Sequence, residues 1–393
     1  MARHFDFIVV GKGMMGAAAG RHLALEGANV ALVGPDEPDD WKSHDGVYAS
    51  HYDNGRITRT IDNDPDWALL ANRSIARYRE IEALSGISFY GETGCLISGA
   101  ASADFMRSVV SVSQRFNLDA PEMDRRGMAE RFPWFDLPQT SVGVFEAKGA
   151  GYVNPRALVA AQAACAEKAG AAVICSQVSS TVEVGGKVEV TLRSGEVLTA
   201  GRVLVAAGGF SVAPGLLPRP ADLIVKARTV LFAQVASDEL ARYEGMPSWI
   251  DEGADPSDHF YLLPPIRYPD GRYYIKIGGD PTDIVLADER AIRAWFRTDG
   301  GAAAAQHLRR ILLKMMPDLR PVSFSTAPCV TTYTVHGYPY IGFAGSERIA
   351  LLSGGNGAAA KSSDEIGRLG ARLIVDGRLD DPAYTTDFAV HFR

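Results

Sequence analysis

Phe5-Asp6-Phe7-Ile8-Val9-Val10-Gly11-Lys12-Gly13-Met14-Met15-Gly16 is the stretch on which the reading of this chain turns. Residues 5–10 form a nearly unbroken apolar run that predicts a buried strand. Residues 17–26 read as a helix closed by Gly27, and residues 29–33 as a second strand. Strand, glycine turn, helix and strand within about 30 residues make a βαβ unit, which demands a parallel sheet with helices on its faces. The fold class is therefore α/β. In that setting Gly11-x-Gly13-x-x-Gly16 carries a mechanism. Gly11 permits the tight turn, Gly13 lets backbone approach a pyrophosphate, and Gly16 lets helix and strand pack closely. The helix N-terminus, with Met14 and Met15 beside it, favours an anion. The acid that usually ends the second strand and holds the adenosine ribose is missing, since the strand closes Val33-Gly34-Pro35-Asp36. Either Asp36 reaches back, or backbone and water take that role.

With 393 residues, 47% hydrophobic and 22% charged, the chain has a globular profile and enough core for two or three domains. Forty-seven acidic against 40 basic residues give a net charge of −7, so no general positive field exists to recruit nucleic acid or an anionic membrane. Cys95, Cys165, Cys175 and Cys329 form no CxxC pair and no histidines cluster with them, which argues against a zinc site and for a reducing compartment without disulfides. The N-terminal apolar stretch is broken by Lys12 and by glycines, and fits neither a signal peptide nor a membrane span. The expectation is a cytoplasmic protein with a small-molecule partner, no nucleic acid, no membrane and no metal.

The rest of the pattern extends this first unit and adds a second. A helix is predicted over 63–84, strands over 87–98 and 141–153 with an irregular helical stretch over 102–131 between them, then a helix over 155–170 and a strand over 171–174. Gly185-Gly186 between two strand-like runs is a two-residue hairpin signal. A strand over 203–206 runs into a second glycine turn, Ala207-Gly208-Gly209. Longer polar strands over 216–324, with a helical region over 290–316 broken at Gly300-Gly301, predict a second α+β domain built on a mostly antiparallel sheet. A strand over 349–352, a glycine turn and a helix over 362–374 return to the first style. The expected division is 1–85, 145–215 and 325–393 for a discontinuous dinucleotide-binding domain, and 86–144 with 216–324 for a substrate domain.

The chain resembles the FAD-dependent amine and amino-acid oxidases that include monomeric sarcosine oxidase and D-amino-acid oxidase. The resemblance extends over most of the chain and rests on separated motifs in the family's order. These are the glycine fingerprint, Ser50-His51-Tyr52-Asp53-Asn54-Gly55-Arg56-Ile57-Thr58-Arg59, Gly151-Tyr152-Val153-Asn154-Pro155, Ala206-Ala207-Gly208-Gly209, Tyr274-Ile275-Lys276-Ile277-Gly278, Tyr333-Thr334, and Gly355-Asn356-Gly357 with Lys361. It implies a Rossmann-type FAD-binding domain in which the glycine turns, Ser50, His51 and the backbone at Val178 meet the cofactor.

It also implies roles. Arg56 would lie against the isoalloxazine, and Arg59, helped by Lys361, would bind the substrate carboxylate. A guanidinium holds a carboxylate bidentately, and fixed positive charge stabilises an anionic reduced flavin. Lys276 matches a lysine near the flavin that assists the reaction of reduced flavin with O2, where a preorganised cation stabilises developing negative charge. Tyr52, Tyr261 and Asp280 would wall the pocket, Tyr52 and Asp280 standing where the family has histidines. Asp280 reads either as a turn residue before Pro281 or as a ligand for a second polar group of the substrate. Thr331 stands where sarcosine oxidases carry the cysteine that links to the flavin, which implies non-covalent FAD, although Cys329 shares its strand face. The implied function is an FAD-dependent oxidase of a small or N-substituted amino acid that forms an imine and reduces O2 to hydrogen peroxide. The alternative is an FAD-dependent dehydrogenase passing electrons to a quinone or an electron-transfer protein.

Overall fold

The computed structural model describes residues 3–253 and 255–393. The first strand, Arg3–Val10, ends at Gly11, whose φ of 112° suits glycine alone and where a Cβ would overlap the Ala206 carbonyl. The helix that follows spans Met14–Leu25, with extended Gly13 at its N-cap, so the second half of the glycine motif is already helical where the pattern suggested a turn. Ala172–Ile174, Val30–Val33, Arg3–Val10, Val197–Val205 and Ile349–Ser353 form a parallel sheet in that order, and Tyr340–Phe343 adds an antiparallel edge. The hairpin Val178–Val184 with Lys187–Leu192 joins the start of Val197–Val205, and its two-glycine turn has positive φ at both Gly185 and Gly186. The helices Met14–Leu25 and Ser363–Asp376 approach so closely that a Cβ on Gly367 would sit 2.5 Å from that of Ala18.

The second sheet runs Phe324–Thr334, Leu223–Val235, Tyr273–Gly278, Phe260–Arg267, Ser248–Asp251, Cys95–Ala100, Ser141–Glu146 and Glu122–Asp124. Its pairs are antiparallel except Ser248–Asp251 with Cys95–Ala100. An α/β fold with a mostly antiparallel second sheet is what the sequence predicts, but the strands cross over elsewhere. Phe324–Thr334 pairs along its length with Leu223–Val235, so the chain leaves the second sheet after Thr334 and not near 325. Among the described residues no helix is long and apolar enough to cross a membrane.

The helix predicted over 63–84 is two, Pro65–Ile75 and Tyr78–Ser85. The break lets Arg77 reach Asp364 at 2.5 Å and Glu365 at 2.7 Å, two fully buried carboxylates at the start of Ser363–Asp376 that also meet Arg21, Arg73 and Arg368. Burial alone would raise the Asp364 carboxyl, but His22, Arg21 and Arg77 outweigh it and hold the group well below the ordinary carboxylate range. A carboxylate depressed in the folded state contributes stability that is complete above about pH 4 and is lost as pH falls further. Asp364→Asn leaves buried Arg21 without its anion and is expected to cost about 3–5 kcal/mol at pH 7. Chemical denaturation reads that cost, and the gap from the parent protein is expected to narrow below about pH 4.

Candidate active site

Residues of both sheets enclose a cavity of about 490 Å³. It is bounded by Gly11, Gly13, Gly34, Gln177 and Val178 and by Arg56, Cys329, Thr331 and Gly357. The glycines explain its shape. A Cβ on Gly16 would overlap the Gly11 carbonyl, so the helix N-terminus can press against the strand end, and among the described residues no side chain caps that helix. Its first-turn amides and positive dipole end therefore face the cavity with room for a pyrophosphate. A Cβ on Gly34 would lie 2.5 Å from the Lys12 nitrogen, which is the steric reason that no acid stands at this point. Asp36 takes the neighbouring position instead, ion-paired to Lys12. Met14, Met15, Ser50, His51, Val178, Ala207, Gly208, Gly355 and Gly357 all border the cavity, as the resemblance implies. His51 is half-buried at the cavity wall, and its desolvation together with Arg156, Lys12 and Arg56 pushes its imidazole down to about 3. Asn356 is used differently: its side-chain oxygen accepts from the Thr334 amide at 3.0 Å, pinning the C-terminal glycine turn to the second sheet.

At the far end the fold buries a charge cluster. Lys276 is fully buried, donating to Asp53 at 2.5 Å and to the Gly55 carbonyl at 2.8 Å, with its Nζ 5.6 Å from the Tyr261 ring centroid. Tyr261 lies flat over Gly278, where any Cβ would overlap its ring. Arg56 also pairs with Asp53 and donates to the Ser50 carbonyl at 3.0 Å and to Cys329 Sγ at 3.4 Å. Tyr268, from the turn between Phe260–Arg267 and Tyr273–Gly278, donates to the same Asp53 carboxylate at 2.8 Å. Burial, then Arg56 and Arg156, push the Lys276 ammonium well below its ordinary range, and the Asp53 carboxylate in contact with it favours the charged form. Thr331 Oγ1 is buried on the cavity wall with no hydrogen-bond partner among the described residues. An orphaned hydroxyl and a glycine cradle that any Cβ would fill are what a cavity shaped around a bound flavin dinucleotide presents.

Other expected residues are engaged elsewhere. Arg59 and Lys361 both meet one buried carboxylate, Asp62, at 3.0 Å each; like Lys276 and Tyr261 they stand behind the residues that border the cavity, and the Arg59 Nε is buried with no partner among the described residues. The loop carrying Arg59 is held by Glu146, which accepts from the Thr60 and Ile61 amides. The Asp280 carboxylate accepts from the amides of Thr229 and Thr282, at 3.0 and 2.9 Å, which is the turn reading of that residue. Tyr52 borders the cavity, but its hydroxyl donates to the Asp36 carbonyl at 3.3 Å and its ring packs on Trp41, away from Lys276 and Tyr261. Asp53 and Asp62 were not singled out from sequence. Asp53 and Asp62 sit in or beside the Ser50–Arg59 motif, and the burial of so many charges there was the available signal.

The geometry agrees with the comparisons. A model of the FAD-dependent oxidoreductase family (DAO) matches residues 6–373. Monomeric sarcosine oxidase of Streptomyces avermitilis is 30% identical over 174 residues, 44% of this chain and 43% of that one. N-methyl-L-tryptophan oxidase of Yersinia pestis (strain Pestoides F) is 25% identical over 171 residues, 43% of this chain and 44% of that one, so each match spans less than half of the relative. The open form of NikD, an amino acid oxidase of nikkomycin biosynthesis, has the same fold, with a TM-score of 0.77 at 19% identity over 99% of this chain and 98% of that one. With a dinucleotide-shaped cavity and a family match over nearly its whole length, this chain belongs to the FAD-dependent oxidoreductase family.

Proposed function

We propose that the protein is an oxidase of a small or N-substituted amino acid that binds FAD non-covalently and uses O2 as its acceptor. The observation that carries this reading is Lys276, a fully buried lysine beside Tyr261 that shares the Asp53 carboxylate with Arg56, a residue of the cavity wall. When bound, FAD supplies the two-electron chemistry that converts the C–N bond to an imine and O2 to hydrogen peroxide. The chain's own residues then have three tasks. The glycine turns and the Met14–Leu25 helix end hold the pyrophosphate, and the Lys12–Asp36 pair stands in for the ribose acid. Arg56 and Lys276 place positive charge where negative charge develops, and Asp53 fixes both. Tyr261, packed over Gly278 beside Lys276, would shield that end of the site from water.

The two sheets divide the labour between an FAD domain and a substrate domain. Small amines and amino acids are the partners this reading assigns. A cytoplasmic location rests on Cys95, Cys165, Cys175 and Cys329, none of them in a disulfide. The test is a peroxide assay in air across a panel of amino acids, N-methyl amino acids and amines, followed by acid precipitation. Peroxide from an amino acid or its N-methyl form, with yellow colour left in the supernatant, is expected. Slow peroxide but rapid reduction of a quinone dye places the protein among dehydrogenases, and a yellow pellet places a covalent bond at Cys329.

A further inference from the structure

Besides its desolvation, three cations act on the His51 imidazole: Arg156, Lys12 and Arg56. The ring stands beside the helix that opens the FAD cavity, its Nδ1 3.9 Å from where a Cβ on Gly13, the N-cap of Met14–Leu25, would lie. The uncapped amides of that helix and the three charges therefore favour an anion in the same place. The cations differ in how firmly each is already held. Arg56 pairs with Asp53, whose side chain is 6% exposed. Arg156 meets both oxygens of the half-buried Glu37, at 2.6 and 2.7 Å, and donates to Asn54 at 2.9 Å. Lys12, with a side chain 12% exposed, borders the cavity, and among the described residues its ammonium meets Asp36 alone, which is 69% exposed.

Exposed ion pairs are weak, so Lys12 is drawn from Asp36 at little cost. A pyrophosphate against the helix end carries two negative charges and is the stronger attractor. Asp36 is not stranded by the move. The Cys175 thiol donates to its Oδ2 at 3.1 Å, and water reaches the rest of the carboxylate. The oxygen that Lys12 gives up, Oδ1, adjoins a cavity-lining side chain two residues beyond Gly34. An ionised carboxylate oxygen is the acceptor that a ribose hydroxyl needs and that Gly34 does not supply. We propose that FAD binding exchanges partners here: the Lys12 ammonium leaves Asp36 for the pyrophosphate, and Asp36 offers the vacated oxygen to a ribose hydroxyl. This rests on the FAD part of the reading above and not on the oxidase part.

The test uses the FAD-loaded protein and its Lys12→Met, Lys12→Arg and Asp36→Asn variants, all carrying Cys329→Ser so that a flavin link at that residue cannot mask release. Circular dichroism checks that each is folded. Flavin fluorescence on dilution gives the FAD dissociation constant, and displacement at matched ionic strength gives those of ADP and inorganic pyrophosphate. Lys12→Met is expected to weaken all three by about tenfold or more, and Lys12→Arg to restore most of the loss. A folded Lys12→Met protein that retains no FAD, where Lys12→Arg retains it, supports the proposal equally. Asp36→Asn is expected to tighten pyrophosphate several-fold, because no anion then competes for Lys12, while ADP, whose ribose has lost its acceptor, does not tighten. Asp36→Asn weakening pyrophosphate as Lys12→Met does would make the pair a fixed unit and overturn the exchange, as would unchanged constants in Lys12→Met. ADP tightening as much as pyrophosphate would overturn the ribose half. None of these results touches the oxidase reading, which stands or falls on whether amino acids bleach the flavin of the parent protein.

Discussion

Lys276→Met is expected to slow the reaction of the reduced protein with O2 by about 10²–10³-fold, the usual effect of removing one preorganised charge from a site of developing negative charge. Anaerobic reduction by substrate is expected to change by less than about tenfold, because that step develops no comparable charge at Lys276. The two half-reactions are separated by stopped-flow spectroscopy, first without oxygen and then on mixing with it. The asymmetry follows from the placement of the ammonium, buried on the sheet face beside Tyr261 and held by Asp53 and the Gly55 carbonyl. An equal loss in both half-reactions would make Lys276 a general structural support.

Asp53→Asn is expected to be the most damaging single substitution outside the glycine turns. Asp53 is buried and serves Lys276, Arg56 and the Tyr268 hydroxyl at once, so removing its charge strands two cations in the interior. Breaking a buried pair in this way costs about 3–5 kcal/mol, measurable by chemical denaturation of the FAD-loaded protein. The pH dependence carries the sharper signature. Burial and the neighbouring guanidinium groups already press the Lys276 ammonium below its ordinary range, and the Asp53 carboxylate is the anion in contact with it, which favours the charged form. Without Asp53 the lysine loses its proton at lower pH. The oxygen reaction, which uses the protonated form, is therefore expected to fall away at a lower pH in the variant than in the parent. A variant whose profile stays in place would mean that Asp53 does not set the charge of Lys276.

What could be read from sequence was what is local in sequence. The strand, glycine turn and helix at the N-terminus, the Gly185-Gly186 hairpin and the glycine turn before the last helix each depend on residues within a few positions of one another, and each forms, the first helix starting three residues early at Met14. The single helix read over 63–84 failed because its break is a tertiary event: Arg77 turns inward to carboxylates at 364 and 365. The site divides in the same way. That Gly34 is no ribose acid is visible in the sequence, but that Lys12 and Asp36 pair in its place depends on a turn meeting the end of a strand. Lys276 stands in an alternating run that reads as an exposed lysine, and only the Asp53 carboxylate, far away in sequence, shows why it is buried. Arg59 and Lys361 were legible as cations, while the buried Asp62 that occupies both was not.

The central claim is that this family member oxidises an amino acid and returns its electrons to O2. The most direct measurement is the absorption spectrum of the purified protein under nitrogen as amino acids and N-methyl amino acids are added in turn, followed by admission of air. The account predicts flavin bands near roughly 370 and 450 nm, bleaching by at least one of these substrates, and full recovery within seconds of oxygen exposure with one peroxide formed per flavin. Flavin bands that no amino acid or amine bleaches, or that stay bleached in air, would contradict it.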